Sequence, residues 1–118
     1  MTKQYAFSHA ERLTRKAEFD RVFKDGRAYR TGEISILALP NGTARLRLGL
    51  VVGRRMGAAP RRSRMKRLIR EAFRLNKHLL TAGHDIVVMP REGWKDLRRS
   101  VVEDHLRKFF RSLAPNSV

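Results

Sequence analysis

The sequence predicts an α+β protein, a small sandwich with helices laid on a short sheet. Three observations predict it. Apolar residues recur at helical spacing from Met65 to Leu79 and again from Val102 to Leu113. They alternate from Arg45 to Val52 and run unbroken near Ile86 to Met89, as strands do. Finally, 118 residues of which 42% are hydrophobic are enough for one core and too few for two.

In chain order, residues 1–12 read as a flexible basic tail. A first helix is expected after Thr14 as N-cap, with Phe19, Val22 and Phe23 on one face and Gly26 in the left-handed conformation that often closes a helix. Glu33 to Leu39 reads as a strand with Ile34 and Ile36 on one face. Asn41-Gly42 favours a tight hairpin, so this strand is expected to pair antiparallel with Arg45 to Val52. A further short strand is allowed near Val51 to Arg55. A long helix is expected from Pro60 to about Leu80, because proline suits a first helical turn. Its core stripe is Met65, Leu68, Ile69, Ala72, Leu75 and Leu79. His84 to Met89 reads as a strand buried on both faces. Ser100 and Glu103 have capping-box spacing and open the last helix, whose core face is Val102, Leu106, Phe109, Phe110 and Leu113. The order is α-β-β-(β)-α-β-α, with one domain over 13–113 and a tail over 114–118.

Charge narrows the function. The net charge is +16, and ten of the 27 lysines and arginines fall between Arg54 and Lys77 beside a single acid, Glu71. At about 100° per residue, Arg62, Lys66, Arg70, Arg74 and Lys77 share one flank of the long helix, with Ser63 and Arg67 beside them. Like charges four residues apart destabilise a helix by a few tenths of a kcal/mol per pair. A solvated face would mix signs; this one points to a polyanion such as RNA or DNA. No run of about 18 apolar residues suggests a membrane span, and neither a membrane nor a small-molecule partner is expected. With no secretory signal in the first residues and no cysteine, a cytoplasmic location is expected.

The side chains offer no obvious catalytic centre. Neither His9, His78, His84 and His105 nor the scattered acids form a recognisable acid–base pair or metal motif. Phe19 and Phe23, one turn apart, have two readings: core packing, or a stacking platform for unpaired bases. Trp94 is undecided, and Tyr5, Phe7 and Tyr29 carry no readable signal.

One stretch adds a resemblance. Arg54-Arg55, then Gly57 and Ala59, then Arg62-Ser63-Arg64, Lys66-Arg67 and Arg70-Glu71 resembles the signature of the bacterial ribonuclease P protein component. The likeness extends to Leu13, Phe19-Asp20, Val22-Phe23, Gly26, the stretch Arg47 to Gly53, and Asp85 to Val88. Ser63 stands where the family has asparagine, Pro60-Arg61 replace an apolar pair, and Leu37 takes a position that is often aromatic.

The resemblance implies a ribosomal-protein-like fold with a left-handed β-α-β crossover. It implies as partners the catalytic RNA of ribonuclease P and precursor tRNA, whose 5′ leader is removed. It assigns no catalytic residue and no metal site to the protein; Mg²⁺ is held by the RNA and substrate. On this footing Arg54, Arg55, Arg62, Ser63, Arg64, Lys66, Arg67 and Arg70 are expected to grip RNA. A cleft of Phe19, Phe23 and Leu37, bordered by Arg62, Lys66 and Arg70, is expected to hold the leader. Two other classes fit the composition: a general RNA-binding or ribosome-associated module, and a free-standing nuclease.

Overall fold

The computed structural model describes residues 11–113. The tails at 1–10 and 114–118, and with them Tyr5, Phe7 and His9, lie outside the described residues. Three helices and four strands follow one another: α1 Lys16–Asp25, β1 Arg27–Arg30, β2 Ile34–Pro40, β3 Arg47–Leu50, α2 Ala59–Asn76, β4 His84–Pro90 and α3 Arg99–Leu113. Short 3₁₀ turns precede and follow α2, at Arg54–Met56 and Lys77–Leu79.

The sheet order is β1-β2-β4-β3. β2 runs antiparallel to both β1 and β4, while β3 runs parallel to β4. The expected β2–β3 hairpin is therefore absent, because β4 is inserted between the two strands. The Asn41-Gly42 signal still marks a turn, with Gly42 at φ 72°. Its loop is wider, held by Asn41 Oδ1 accepting the Thr43 N–H at 3.0 Å. The loop is also tied to the entrance of β4: Asn41 N–H donates to Gly83 O, and Gly83 N–H donates to Thr43 O. β4 can sit at the centre because it is apolar on both faces, and β3–α2–β4 forms a parallel β-α-β unit.

The fourth strand lies elsewhere than expected. Val51 to Arg55 leaves the sheet and enters the 3₁₀ turn, and β1 is the missed strand. β1 is short and its residues are mostly exposed, so it has no apolar alternation to read.

Residues alternate across the pleat, so β2 and β4 each feed two cores. On one face, α2 and α3 cover Ile34, Ile36, Ala38, Leu48, Ile86 and Val88. Trp94, Phe73, Phe109 and Phe110 seal this core, and the Trp94 indole N–H donates to Asp96 O at 2.7 Å. α2 buries Met65, Ile69, Ala72, Phe73 and Asn76, while Leu68 and Leu75 of the expected stripe are half-buried. The stripe is thus rotated toward Phe73. On the other face α1 alone covers a small core of Leu13, Val22, Leu37 and Val87.

The ends of α1 differ from expectation. The helix begins at Lys16, and Thr14 is not its cap. Instead the Glu18 carboxylate reaches back and accepts the N–H groups of Thr14 and Arg15, at 3.1 and 3.0 Å. Gly26 closes the helix in an extended conformation, φ −74°, its N–H donating to Val22 O. Glu11 and Arg12, assigned to the tail by sequence, make contacts within the fold. Arg12 bridges to Leu48 beside β3, and Glu11 pairs with Lys77 at 2.7 Å.

Candidate nucleic-acid interface

The basic strip begins at the 3₁₀ turn carrying Arg54 and Arg55 and continues along α2. Gly57 links the two at φ 126°, a backbone state that side chains strongly disfavour. Arg61 fastens this junction: its Nε–H donates to Met56 O at 2.9 Å and its terminal nitrogen to Trp94 O at 3.2 Å. The Arg62 Nε–H donates to Gly57 O at 3.1 Å. Arg61 is thus a structural pin inside the basic run, which composition could not distinguish from its neighbours.

Arg54, Arg55, Ser63, Arg64 and Arg67 are exposed; Arg62, Lys66 and Arg70 are half-buried. Of the basic residues in this set, only Arg55 has an acidic partner among the described residues, Glu92 at 3.2 Å on the open surface. The strip is shorter than the periodicity suggests. Arg74 is paired with Glu71, and Lys77 with Glu11. Partial burial and then the nearby Arg12 charge make the Arg70 guanidinium less basic than usual. Two like charges facing each other are relieved by an anion placed between them.

Where α1, β3 and α2 meet, two adjoining recesses open. One, of about 470 Å³, is lined by Lys16, Phe19, Asp20, Phe23, Leu50, Val51, Val52 and Lys66. The other, of about 260 Å³, includes Arg12, Leu13, Phe19, Leu50, Lys66 and Arg70. Phe19, Leu50 and Lys66 belong to both. Phe19 is half-buried and packs toward the small core, whereas Phe23 is 43% exposed. The Phe19 ring lies flush on the sheet because β3 has glycine beneath it. A Cβ on Gly49 would stand 2.5 Å from the ring.

The structure brings Phe19, Phe23, Lys66 and Arg70 together. It does not bring Leu37 to the surface: at 3% exposure it lies under α1 with Val22 and Val87, and cannot wall a cleft. Arg62 does not line either recess; it caps the Gly57 carbonyl instead. Leu50, Val51, Val52 and Arg12 were missed. The alternation in β3 could have flagged Val51, which shares a face with Arg47 and Gly49.

Among the described histidines, His105 is held between Glu33 (2.7 Å) and the Tyr29 hydroxyl (2.9 Å), and His84 Nδ1 lies 2.9 Å from Ala82 O. His105 thereby ties α3 to β1 and to the turn before β2, while the His84 contact is local to the entrance of β4. No group of three or more His, Asp or Glu able to hold a metal ion occurs among the described residues.

Comparison with known proteins decides the family. The family model described as Ribonuclease P matches residues 7–114. The chain belongs to the ribonuclease P protein family. The ribonuclease P protein component of Thermotoga maritima is 41% identical over 87 residues, 74% of each chain. That of Desulforapulum autotrophicum is 33% identical over 109 residues, covering 92% of this chain and 93% of the relative. Among solved structures, the ribonuclease P protein of Thermotoga maritima superposes with a TM-score of 0.76 at 35% identity, covering 89% of this chain and 99% of that one. The Staphylococcus aureus protein gives 0.76 at 27% identity, with coverage of 87% and 94%.

As a ribonuclease P protein, the chain is the protein part of the ribonucleoprotein that processes the 5′ end of tRNA, and its partner is RNA. No helix among the described residues is long and apolar enough to cross a membrane.

Proposed function

We propose that the polypeptide binds two RNAs at once in the cytoplasm. The strip of Arg54, Arg55, Ser63, Arg64, Lys66, Arg67 and Arg70, with Arg62 at its edge, grips phosphates of the catalytic RNA of ribonuclease P. The recess of Phe19, Phe23, Leu50, Val51 and Val52 seats the single-stranded 5′ leader of precursor tRNA, with Lys66, Arg70 and Arg12 on its phosphates. Hydrolysis and its Mg²⁺ belong to the RNA and the substrate. The protein adds affinity for the leader and lowers the Mg²⁺ requirement by supplying positive charge beside the RNA.

One observation carries this reading. Phe23 and Val51 are the exposed large hydrophobics of the described chain, and both line the same recess, rimmed by cations. Apolar surface in water beside positive charge is what unstacked bases on a phosphate backbone complement.

The test is reconstitution. Cleavage of precursor tRNA by a bacterial ribonuclease P RNA at low Mg²⁺ is expected to accelerate when the polypeptide is added. No acceleration would favour a general RNA-binding module, and cleavage by the polypeptide alone a free-standing nuclease. With on the order of 6–10 phosphate contacts, affinity for the catalytic RNA is expected to fall about 10³–10⁵-fold between 50 and 200 mM salt. A flat salt dependence would refute the phosphate grip.

A further inference from the structure

We infer that Arg47 is a positioning residue for leader recognition: it fixes α1 on the sheet so that Phe19 lies at the recess. The inference rests on the reading of that recess as the leader's seat, and takes it one layer deeper.

Arg47 sits on β3, on the face under α1. Its Nε and one terminal nitrogen donate to the two oxygens of Asp85, at 2.8 and 2.7 Å. Its other terminal nitrogen donates to Glu18 Oε2 at 2.7 Å. Asp85 is 2% exposed and is held on its second side by Asn41 Nδ2 at 2.9 Å. Glu18 in turn accepts the N–H groups of Thr14 and Arg15 at the start of α1. One guanidinium thus connects the central strand β4 to the first turn of α1. A two-pronged Arg–carboxylate contact sets direction as well as distance, which an ammonium group does not.

The recess depends on that direction. Phe19 follows Glu18 directly in sequence, and its ring rests on Gly49, two residues along β3 from Arg47. Side chains at Arg47, Gly49 and Val51 fall on one face of the strand and its continuation. They supply in succession the anchor for the helix, the seat for the ring and an apolar wall of the recess. The small core beneath α1 has four buried residues, Leu13, Val22, Leu37 and Val87, with Phe19, Leu39 and Met89 half-buried against them. Apolar contacts of this kind are non-directional, so the polar chain supplies the alignment.

The experiment uses holoenzyme reconstituted from this chain and a bacterial ribonuclease P RNA. The measured quantity is leader-dependent affinity, the ratio of dissociation constants for mature tRNA and for precursor tRNA. Phe19→Ala is expected to lower that ratio about tenfold. Arg47→Lys keeps the charge and loses the fork, and is expected to lower it about three- to tenfold. Binding of the catalytic RNA and its salt dependence are expected to stay unchanged. The double variant is expected to lose no more than Phe19→Ala alone, because Arg47 acts through that ring. Additive losses, or a wild-type ratio for folded Arg47→Lys, would overturn the inference. If Arg47→Lys does not fold, Glu18→Gln takes its place in the same cycle, since it leaves the Arg47–Asp85 contact intact. Phe19→Ala with an unchanged ratio would instead sink the leader-seat reading itself.

Discussion

The two faces of the sheet use aromatic residues in opposite ways. Under α2 and α3, Trp94, Phe73, Phe109 and Phe110 are each at most 1% exposed, and Phe73 meets Phe110 edge to face at 6.4 Å. Under α1, Phe19 is half-buried and Phe23 stands 43% in water. The same residue type stabilises on one side and stays available on the other. One helix cannot cover what two can, and the uncovered remainder adjoins the basic strip. A single thin layer therefore gives this small chain a ligand surface without opening its main core.

Truncation on the closed face has the largest expected effect. Phe73→Ala should cost about 3–5 kcal/mol of stability, because a void beneath α2 cannot collapse around a missing ring. Urea denaturation measures it. RNA binding should weaken only as far as the fold is lost. A loss well under 1 kcal/mol would mean that the two faces are not energetically distinct.

Much of this division could be read from the sequence. The basic flank of α2 follows from helical spacing, and β4 from its unbroken apolar run. Both signals lie within one element. What the sequence hid is non-local. Asn41-Gly42 announces a turn but not which strands pair beyond it, and β4 enters between β2 and β3 from more than 40 residues on. Leu37 and Phe23 are both apolar, yet one is sealed beneath α1 and the other protrudes. Only the rotation of α1 on the sheet separates them. Arg61 and Arg12 show the same limit for charge. One is a pin within the basic run, and the other, counted with the tail, is a neighbour of Arg70.

Gly49→Ala should rank next, and it attacks the border between the two regimes. The new methyl would collide with the Phe19 ring, and overpacking of this kind typically costs about 1–3 kcal/mol. The ring should be pushed off the sheet, so leader-dependent affinity should fall even where the domain remains folded. Normal leader binding by a folded Gly49→Ala protein would show that the ring's seat is immaterial.

Phe23→Ala sharpens the contrast from the open side. A ring already 43% in water has little burial to lose, and its removal should cost about 1 kcal/mol or less. Leader affinity should nonetheless fall several-fold, since base stacking on an aromatic is worth about 1–3 kcal/mol. The diagnostic is the ratio of the two effects. Phe73→Ala should change stability more than binding, and Phe23→Ala the reverse. If both variants lose stability equally, Phe23 is a core residue and the open face is only a poorly packed one.

The smallest effect should come from acid. Glu18 holds α1 to the sheet, and its carboxyl titrates below the usual range. The Arg15 N–H is the first cause; burial opposes it, and the Thr14 N–H and Arg47 add to it. A carboxyl whose folded pKa is depressed contributes stability above its unfolded value, near pH 4.3, and loses it as pH falls through the folded value. At pH 7, Glu18→Gln should cost about 1 kcal/mol, because the amide keeps an acceptor for the backbone but loses the charge facing Arg47. That gap between variant and wild type should narrow as pH falls through the lowered folded value, where wild-type Glu18 becomes neutral as well. Urea midpoints at pH 7, 5 and 3 would show the convergence. On the closed face Phe73→Ala should keep an undiminished gap across the same range, because no charge is involved. If the Glu18→Gln gap also stayed constant, the hold of α1 on the sheet would be apolar, and the two faces would differ in coverage alone.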